Sequence, residues 1–132
     1  FAALKALPGR KFILTNAPRA YAERVLGVLG IGRCFEAMIS IEDMRMFGQL
    51  RPKPDARMLR RLVAGLRVPA HRCTLVEDTL VHQKAARSIG MKTVWMQRWM
   101  RRAAAVQTRP ARHAMRPAYV DRRVRGLREL AR

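Results

Sequence analysis

Short apolar runs alternate with amphipathic helical segments along residues 1–97, and this alternation constrains the fold more than any other feature of the sequence. Each run is too short for a helix and contains two or three consecutive apolar residues, which is typical of strands buried on both faces of a parallel sheet. The predicted strands are residues 11–15, 37–41, 73–77 and 92–96, and the predicted helices between them are residues 18–29, 55–66 and 81–89. The order predicts an α/β fold, a Rossmann-like parallel sheet with flanking helices.

Residues 98–132 differ from the rest of the chain because Arg and Ala dominate them. We predict a core over residues 1–97 and a basic C-terminal extension over residues 98–132, with a short edge strand at 118–120 and a helix over 122–130. Residues 101–115 fit either a surface helix or a connector.

The charge balance is strongly basic, with 28 Lys and Arg against 9 Asp and Glu and a net charge of +19. Such a charge favours phosphate-rich polymers, because binding releases their counterions. The basic residues are nevertheless spread along the whole chain, without the interleaved aromatics or motif spacing of a nucleic-acid module. We expect a solvated basic surface that binds nucleic acid only non-specifically, and the sequence leaves the oligomeric state open.

Cysteine content and hydropathy favour a cytoplasmic protein with no membrane partner. Cys34 and Cys73 are too few for a disulfide framework and suit a reducing compartment. No apolar run approaches the roughly 20 residues that a membrane span needs. The sequence starts at Phe1 without an initiator Met, which suggests that it begins inside a longer protein.

Polar and charged residues of types that bind phosphate or metal ions lie at the ends of two predicted strands and in one loop. Thr15 and Asn16 end the first strand directly before a helix, where a hydroxyl and free N–H groups bind phosphate. Glu77 and Asp78 end the third strand, and carboxylates together with substrate oxygens suit Mg²⁺. Lys53, between two prolines, can neutralise a phosphoryl group. Ligands bind at strand carboxyl ends in such sheets, so we expect Thr15, Lys53 and Asp78 to share one pocket.

Each of these residues also has an ordinary structural explanation. A Thr-Asn pair before proline is a common turn, and Glu77 to Thr79 can cap the following helix. Lys53 can be an ordinary loop lysine. Taken singly these explanations are favoured, but a hydroxyl, a lysine and an acid pair in this order are harder to explain that way.

Three segments carry a family resemblance: Leu14-Thr-Asn-Ala17, Arg51-Pro-Lys-Pro-Asp55, and Val76-Glu-Asp-Thr79 with the following Gly90-Met-Lys-Thr-Val94. Together they resemble the haloacid dehalogenase-like (HAD) hydrolase superfamily, and are most similar to its pyrimidine 5′-nucleotidase-like phosphatases. The resemblance covers residues 4–96.

The resemblance implies a role for each of the singled-out residues. Thr15, helped by the Asn16 amide, would bind the transferring phosphoryl group, and Lys53 would be the lysine of the third motif. Asp78 with Glu77 would hold Mg²⁺. His82 departs from the pattern, since relatives often carry Asn at that position.

The first motif of the family, an Asp-x-Asp at the end of an N-terminal strand, is missing from this sequence. In the family its first Asp is the nucleophile that forms an aspartyl-phosphate, and its second is the general acid/base. By the resemblance, the missing strand is the central one, between the strands that end at Thr15 and Glu77, and the helical cap that selects the substrate is missing too. We therefore expect this chain to be inactive alone.

The resemblance implies part of a Mg²⁺-dependent phosphohydrolase that acts on a small phosphorylated substrate, with nucleoside 5′-monophosphates favoured. The acid pair Glu77-Asp78 favours phosphate chemistry over dehalogenation, because a metal-dependent phosphatase needs carboxylates to bring Mg²⁺ to the phosphate, whereas a dehalogenase has no phosphate charge to offset. The alternative is a non-catalytic basic remnant that binds nucleic acid or phosphorylated ligands.

Overall fold

The computed structural model describes residues 1–97 and 115–131. The helices in these ranges are α1 (Ala2–Ala6), α2 (Arg19–Leu29), α3 (Ala56–Gly65) and α4 (Leu80–Ser88). The strands are β1 (Phe12–Leu14), β2 (Ala37–Ile39), β3 (Arg45–Met46), β4 (Gln49–Leu50), β5 (Thr74–Glu77), β6 (Lys92–Met96) and β7 (Arg122–Val124). The four predicted strands and three predicted helices of the core are all present, which confirms the α/β class.

The strands form two parallel sheets and one hairpin within the described ranges. β1 pairs with β2, and β5, β6 and β7 form a three-stranded sheet in that order. The parallel pairs are those expected of a Rossmann-like sheet. No backbone hydrogen bonds join β1 to β5 in these ranges, and this is the place where the resemblance puts the absent central strand.

The core lies between the β5–β6 sheet and the helices α3 and α4. Its buried members are Leu59, Val63, Leu75, Ala86 and Met91. Leu14 of β1 packs against this cluster, although its strand belongs to the other sheet. α3 begins at a capping carboxylate, since Asp55 accepts the N–H of Met58 at 2.8 Å. Side-chain packing therefore joins β1 to the second sheet.

The loop predicted between the second strand and α3 contains a hairpin that sequence reasoning missed. β3 and β4 pair antiparallel, and Phe47 and Gly48 form the turn with φ of 51° and 75°. Phe47 is 92% exposed. Strands of two residues are too short to show alternation, so the sequence pattern gives no sign of them.

α2 ends as predicted at Gly30, whose φ of 64° suits a left-handed C-cap. Its apolar stripe is largely solvent-exposed, and Ala22 is its buried residue. The exposed members are Tyr21, Val25, Val28 and Leu29. No helix in residues 1–97 and 115–131 is both long and apolar enough to cross a membrane.

The two elements predicted near the C-terminus are placed wrongly by sequence reasoning. The edge strand is β7, residues 122–124, rather than residues 118–120. A 3₁₀ turn, Leu127–Glu129, stands within the helix predicted over residues 122–130. Gly126, in extended conformation, precedes that turn and interrupts any helix. Most of the segment 101–115, predicted as a helix or connector, lies outside the described residues.

Buried contacts with β6 explain the register of β7. Val120 and Val124 are 0% and 1% exposed. The Thr93 hydroxyl donates to the Tyr119 carbonyl at 2.8 Å and accepts the Asp121 N–H at 3.0 Å. Residues 122–124 therefore belong to the sheet, and the Thr93 side chain adds to the backbone pairing with β6 that aligns them.

Thr93→Val is expected to lower the free energy of unfolding by about 1–3 kcal/mol, because the Tyr119 carbonyl loses the hydroxyl that donates to it from a buried position, whereas the Asp121 N–H keeps the Thr93 carbonyl as acceptor. Valine keeps the shape of threonine, so the packing changes little. Urea denaturation measures the effect, with Thr74→Val at an exposed position of β5 as the matched control, expected to stay within about 0.5 kcal/mol of the parent chain. Equal effects of the two substitutions would contradict this account.

Candidate functional site

Lys53 links the two parallel sheets at the carboxyl ends of their strands. Its Nζ donates to the Leu14 carbonyl at 3.1 Å, where β1 ends, and to Oε2 of Glu77 at 2.6 Å, where β5 ends. The Lys53 side chain is 8% exposed. The bond to Glu77 is charge-assisted, short and partly buried, and hydrogen bonds of this kind are among the strong ones in proteins. Lys53, predicted as part of the site, is therefore a buried, ion-paired residue and not an ordinary solvent-exposed loop lysine.

Asn16 holds the Lys53 segment by a pair of hydrogen bonds. The Asn16 side-chain amide donates to the Lys53 carbonyl at 3.0 Å, and the Lys53 N–H donates to Asn16 Oδ1 at 3.0 Å. Beside it, the Thr15 hydroxyl oxygen accepts the N–H of Ala17 at 3.1 Å. A hydroxyl that accepts one bond can still donate one to a ligand. The structure thus brings Thr15, Asn16 and Lys53 together.

Glu77 is a nearly buried carboxylate with several partners. Besides Lys53, its Oε1 accepts the backbone N–H groups of Asp78 at 3.1 Å and Thr79 at 3.3 Å. His82 Nδ1 lies 3.3 Å from Oε2. Burial raises the pKa of Glu77, but hydrogen bonds with Asp78 and Lys53 outweigh burial and lower this pKa to about 2. Glu77 is therefore an anion at neutral pH, and the Lys53 ammonium balances its charge.

Asp78 is exposed, unlike Glu77 beside it. Its Oδ1 accepts the Thr79 hydroxyl at 3.2 Å. A hydrogen bond with Glu77, burial and the charge of Glu77 raise the pKa of Asp78. Two adjacent carboxyls with pKa values shifted in opposite directions are a feature of sites where each has a different task.

Two buried side chains fix the backbone that carries the acid pair, and sequence reasoning missed both. Gln83 Nε2 donates to the carbonyls of Glu77 at 2.8 Å and Val94 at 2.7 Å. Trp95 Nε1 donates to the Asp78 carbonyl at 2.9 Å. Both side chains are fully buried. A glutamine at an inward position of a helix is a sequence signal that could have identified Gln83.

The residues present fit a magnesium ion through Asp78. Mg²⁺ usually takes one or two protein carboxylates and completes its shell with water and substrate oxygens. The exposed Asp78 carboxylate meets that need, whereas Glu77 Oε2 already pairs with Lys53. Within residues 1–97 and 115–131, no group of three or more His, Cys, Asp or Glu forms a complete metal cage.

The arrangement defines an α/β domain in which a buried lysine joins the carboxyl ends of two parallel strands, the edge of such sheets where ligands generally bind. A family model, haloacid dehalogenase-like hydrolase, matches residues 1–90. The chain belongs to this hydrolase family.

Solved structures share the fold at low sequence identity. A HAD phosphatase from Thermococcus onnurineus is 23% identical with a TM-score of 0.72, over 98% of this chain and 54% of that one. L-2-haloacid dehalogenase from Xanthobacter autotrophicus is 22% identical with a TM-score of 0.74, over 98% of this chain and 57% of that one. The putative HAD-hydrolase YfnB from Bacillus subtilis, bound to magnesium, is 20% identical with a TM-score of 0.70. The match covers 98% of this chain and 52% of that one. The chain spans about half the length of these proteins. No curated protein matches the sequence.

Proposed function

We propose that this chain forms part of a Mg²⁺-dependent phosphohydrolase that acts through an aspartyl-phosphate. The observation that carries the proposal is the position of the Lys53 ammonium, 3.1 Å from the Leu14 carbonyl and 2.6 Å from Glu77 Oε2. The cation thus joins the ends of β1 and β5, which Thr15 and Asp78 directly follow in sequence. Phosphoryl transfer depends on this combination of positioning and charge stabilisation.

In this proposal each residue has a separate task. The Thr15 hydroxyl and the Asn16 main-chain amide bind a phosphoryl oxygen, and Lys53 balances the charge that develops on the group. Glu77 holds the Lys53 ammonium in place, and Asp78 would hold the metal ion. When bound, Mg²⁺ supplies Lewis-acid stabilisation of the phosphoryl oxygens. The carboxylate nucleophile comes from an Asp-x-Asp segment that this sequence does not contain.

The acid pair supports phosphate chemistry over dehalogenation, although the structural neighbours include proteins named for either activity. Lys53 neutralises the Glu77 carboxylate, but the negative charge of Asp78 would still repel an anionic substrate. A divalent cation between two anions removes that repulsion. A halogenated acid offers no phosphate oxygens for such an ion. We infer a nucleoside 5′-monophosphate as the substrate from the resemblance to pyrimidine 5′-nucleotidase-like phosphatases.

The test of the proposal is the upstream coding sequence and the enzyme it specifies. We expect an in-frame Asp-x-Asp strand followed by a helical cap. The complete protein should then release phosphate from nucleoside 5′-monophosphates in the presence of Mg²⁺. Halide release from a 2-haloacid without phosphate release would replace the phosphohydrolase with a dehalogenase. A start codon directly before Phe1 would favour the non-catalytic alternative.

Residues 1–132 alone are expected to hydrolyse neither nucleoside monophosphates nor an aryl phosphate, even with Mg²⁺ supplied. Glu77 is paired with Lys53, and Asp78 is committed to the cation, so the site holds no free carboxylate for in-line attack. Colorimetric phosphate release measures this, with Asp78→Ala as the control for contaminating activity. Metal-dependent turnover that disappears in Asp78→Ala would show that the nucleophile is present after all.

A further inference from the structure

The solvent side of α3 carries arginines and no acid. Arg57, Arg60 and Arg61 are exposed, and the last two follow Arg57 by three and four residues, so all three lie on one side of the helix. Arg67, also exposed, follows just beyond the end of α3. We call these four residues the arginine face. Residues 56–76 contain no Asp or Glu, so no local carboxylate offsets this charge.

The acid at the start of α3 is already neutralised. Asp55 accepts the Met58 N–H as the helix cap and pairs with Arg51 at 3.1 Å. Its charge is therefore shared between the helix N-terminus and another arginine. Asp55 therefore does not offset the positive charge of the arginine face at the start of α3.

The acid near the other end of α3 is paired as well. Arg10 donates to the Leu66 carbonyl at 3.0 Å and forms a salt bridge with Glu36 at 2.6 Å. On the face itself, Arg61 donates to the backbone carbonyl of Arg45, which is a neutral partner. Among the residues that the structure describes, the arginines that form salt bridges all lie outside the arginine face.

We propose that the arginine face is a docking surface for the phosphate backbone of a nucleic acid. α3 has 10 residues and is therefore about 15 Å long. A duplex carries about nine phosphate charges over that length, whereas an extended acidic peptide offers at most about five carboxylates. The face uses arginine throughout, and the planar guanidinium fork matches phosphate oxygens in pairs. Charge density and donor geometry together favour a nucleic acid over an acidic protein.

The arginine face is independent of the strand-end site and of the core. The inward residues of α3 are Met58, Leu59 and Val63, all buried. Replacing exposed arginines leaves that packing and the Lys53–Glu77 pair in place. The docking surface can therefore be tested without disturbing the proposed phosphohydrolase site, and either proposal can fail while the other stands.

The experiment compares two triple variants of residues 1–132 that lose the same charge. One variant carries Arg57→Gln, Arg60→Gln and Arg67→Gln on the arginine face. The control carries Arg24→Gln, Arg125→Gln and Arg128→Gln, at exposed positions on other elements. Fluorescence anisotropy measures binding to a labelled random-sequence duplex between 50 and 200 mM salt, and circular dichroism verifies folding.

For the arginine-face variant, the slope of log K against log salt should decrease in magnitude by about 2.7, or 0.9 for each lost phosphate contact. Over this salt range the parent chain should then lose about 40-fold more affinity than this variant. The control should keep a slope close to that of the parent chain. If the arginine-face variant unfolds, Arg57→Gln and Arg60→Gln singly should each change the slope by about 0.9.

Three outcomes would overturn the proposal. Equal changes in the two triple variants would assign binding to net charge alone. Absence of duplex binding by the parent chain at 50 mM salt would exclude a nucleic acid as the partner of the arginine face. Stronger binding of a poly-glutamate peptide of equal charge, lost in the arginine-face variant, would assign the surface to an acidic protein.

Discussion

Replacing Lys53 by Met is expected to lower the free energy of unfolding by about 3–5 kcal/mol, because Glu77 is left as a nearly buried charge without its cation. Methionine fills a similar volume, so the loss reports the ion pair and the bond to the Leu14 carbonyl. Urea denaturation of residues 1–132 at neutral pH gives the measurement. Lys84→Met, at an exposed position on α4, is the matched control and should change the free energy by less than about 0.5 kcal/mol.

The effect of Lys53→Met should also depend on pH, in a direction that the pKa of Glu77 fixes. Lys53 helps to lower this pKa from its ordinary value of 4.5 to about 2 in the folded chain. The stabilisation is complete above the ordinary value and is lost as pH falls towards 2, because the unfolded state takes up the proton first. The parent chain and the variant should therefore converge in stability over this window. A gap that stays constant down to pH 2 would argue against the pair as its source.

Adding Glu77→Gln to Lys53→Met should recover part of the lost stability, since the double variant buries no unpaired charge. Glutamine keeps the carbonyl oxygen that accepts the backbone N–H groups of Asp78 and Thr79. A double variant no more stable than Lys53→Met would mean that the loss came from packing rather than from charge.

Asp78→Ala in the complete enzyme is expected to reduce Mg²⁺-dependent turnover at least about 100-fold, because a bound metal ion contributes several kcal/mol to transition-state stabilisation. Asp78 is exposed, so the fold should change little. Steady-state phosphate release against Mg²⁺ concentration is the measurement. Glu23→Gln, an exposed carboxylate on α2, is the control and should behave as the parent enzyme. Full activity of Asp78→Ala, or activity undiminished by excess chelator, would remove the metal role.

The sequence predicted those elements whose residues signal them locally. β6 was predicted at residues 92–96, where it stands, because Gly90 ends the preceding helix and an apolar run follows. α3 was predicted within one residue at each end, since its apolar spacing is regular and Asp55 caps it. β7 was misplaced because Thr93 and Asp121, which align it, are 28 residues apart in sequence. The physical difference is between local pattern and long-range pairing.

The same division holds for the site. Strand-end reasoning predicted a shared site of Thr15 and Asp78, because parallel strands bring their carboxyl ends to one edge, and added Lys53 from a loop. It gave Asn16 only a main-chain role, and the structure shows its side chain bonded to both sides of the Lys53 backbone. It also gave no part to Trp95, whose indole N–H reaches the Asp78 carbonyl. Contacts of this kind depend on how whole elements pack, and no spacing rule in the sequence expresses them.

Within the described ranges no backbone ladder joins β1 to β5, and this has a consequence for local unfolding. β1 and β2 are held to the larger sheet by side chains such as Leu14 and Lys53, whereas β5, β6 and β7 share a continuous ladder and a buried core. Segments with fewer cooperative bonds open at lower free energy and exchange their amide hydrogens first. The β1–β2 pair therefore forms a separate opening unit. The site is correspondingly uneven: opening of the β1–β2 pair releases Thr15 once the bonds from Lys53 to Leu14 and Asn16 break, while the Glu77–Asp78 backbone persists until the whole core unfolds.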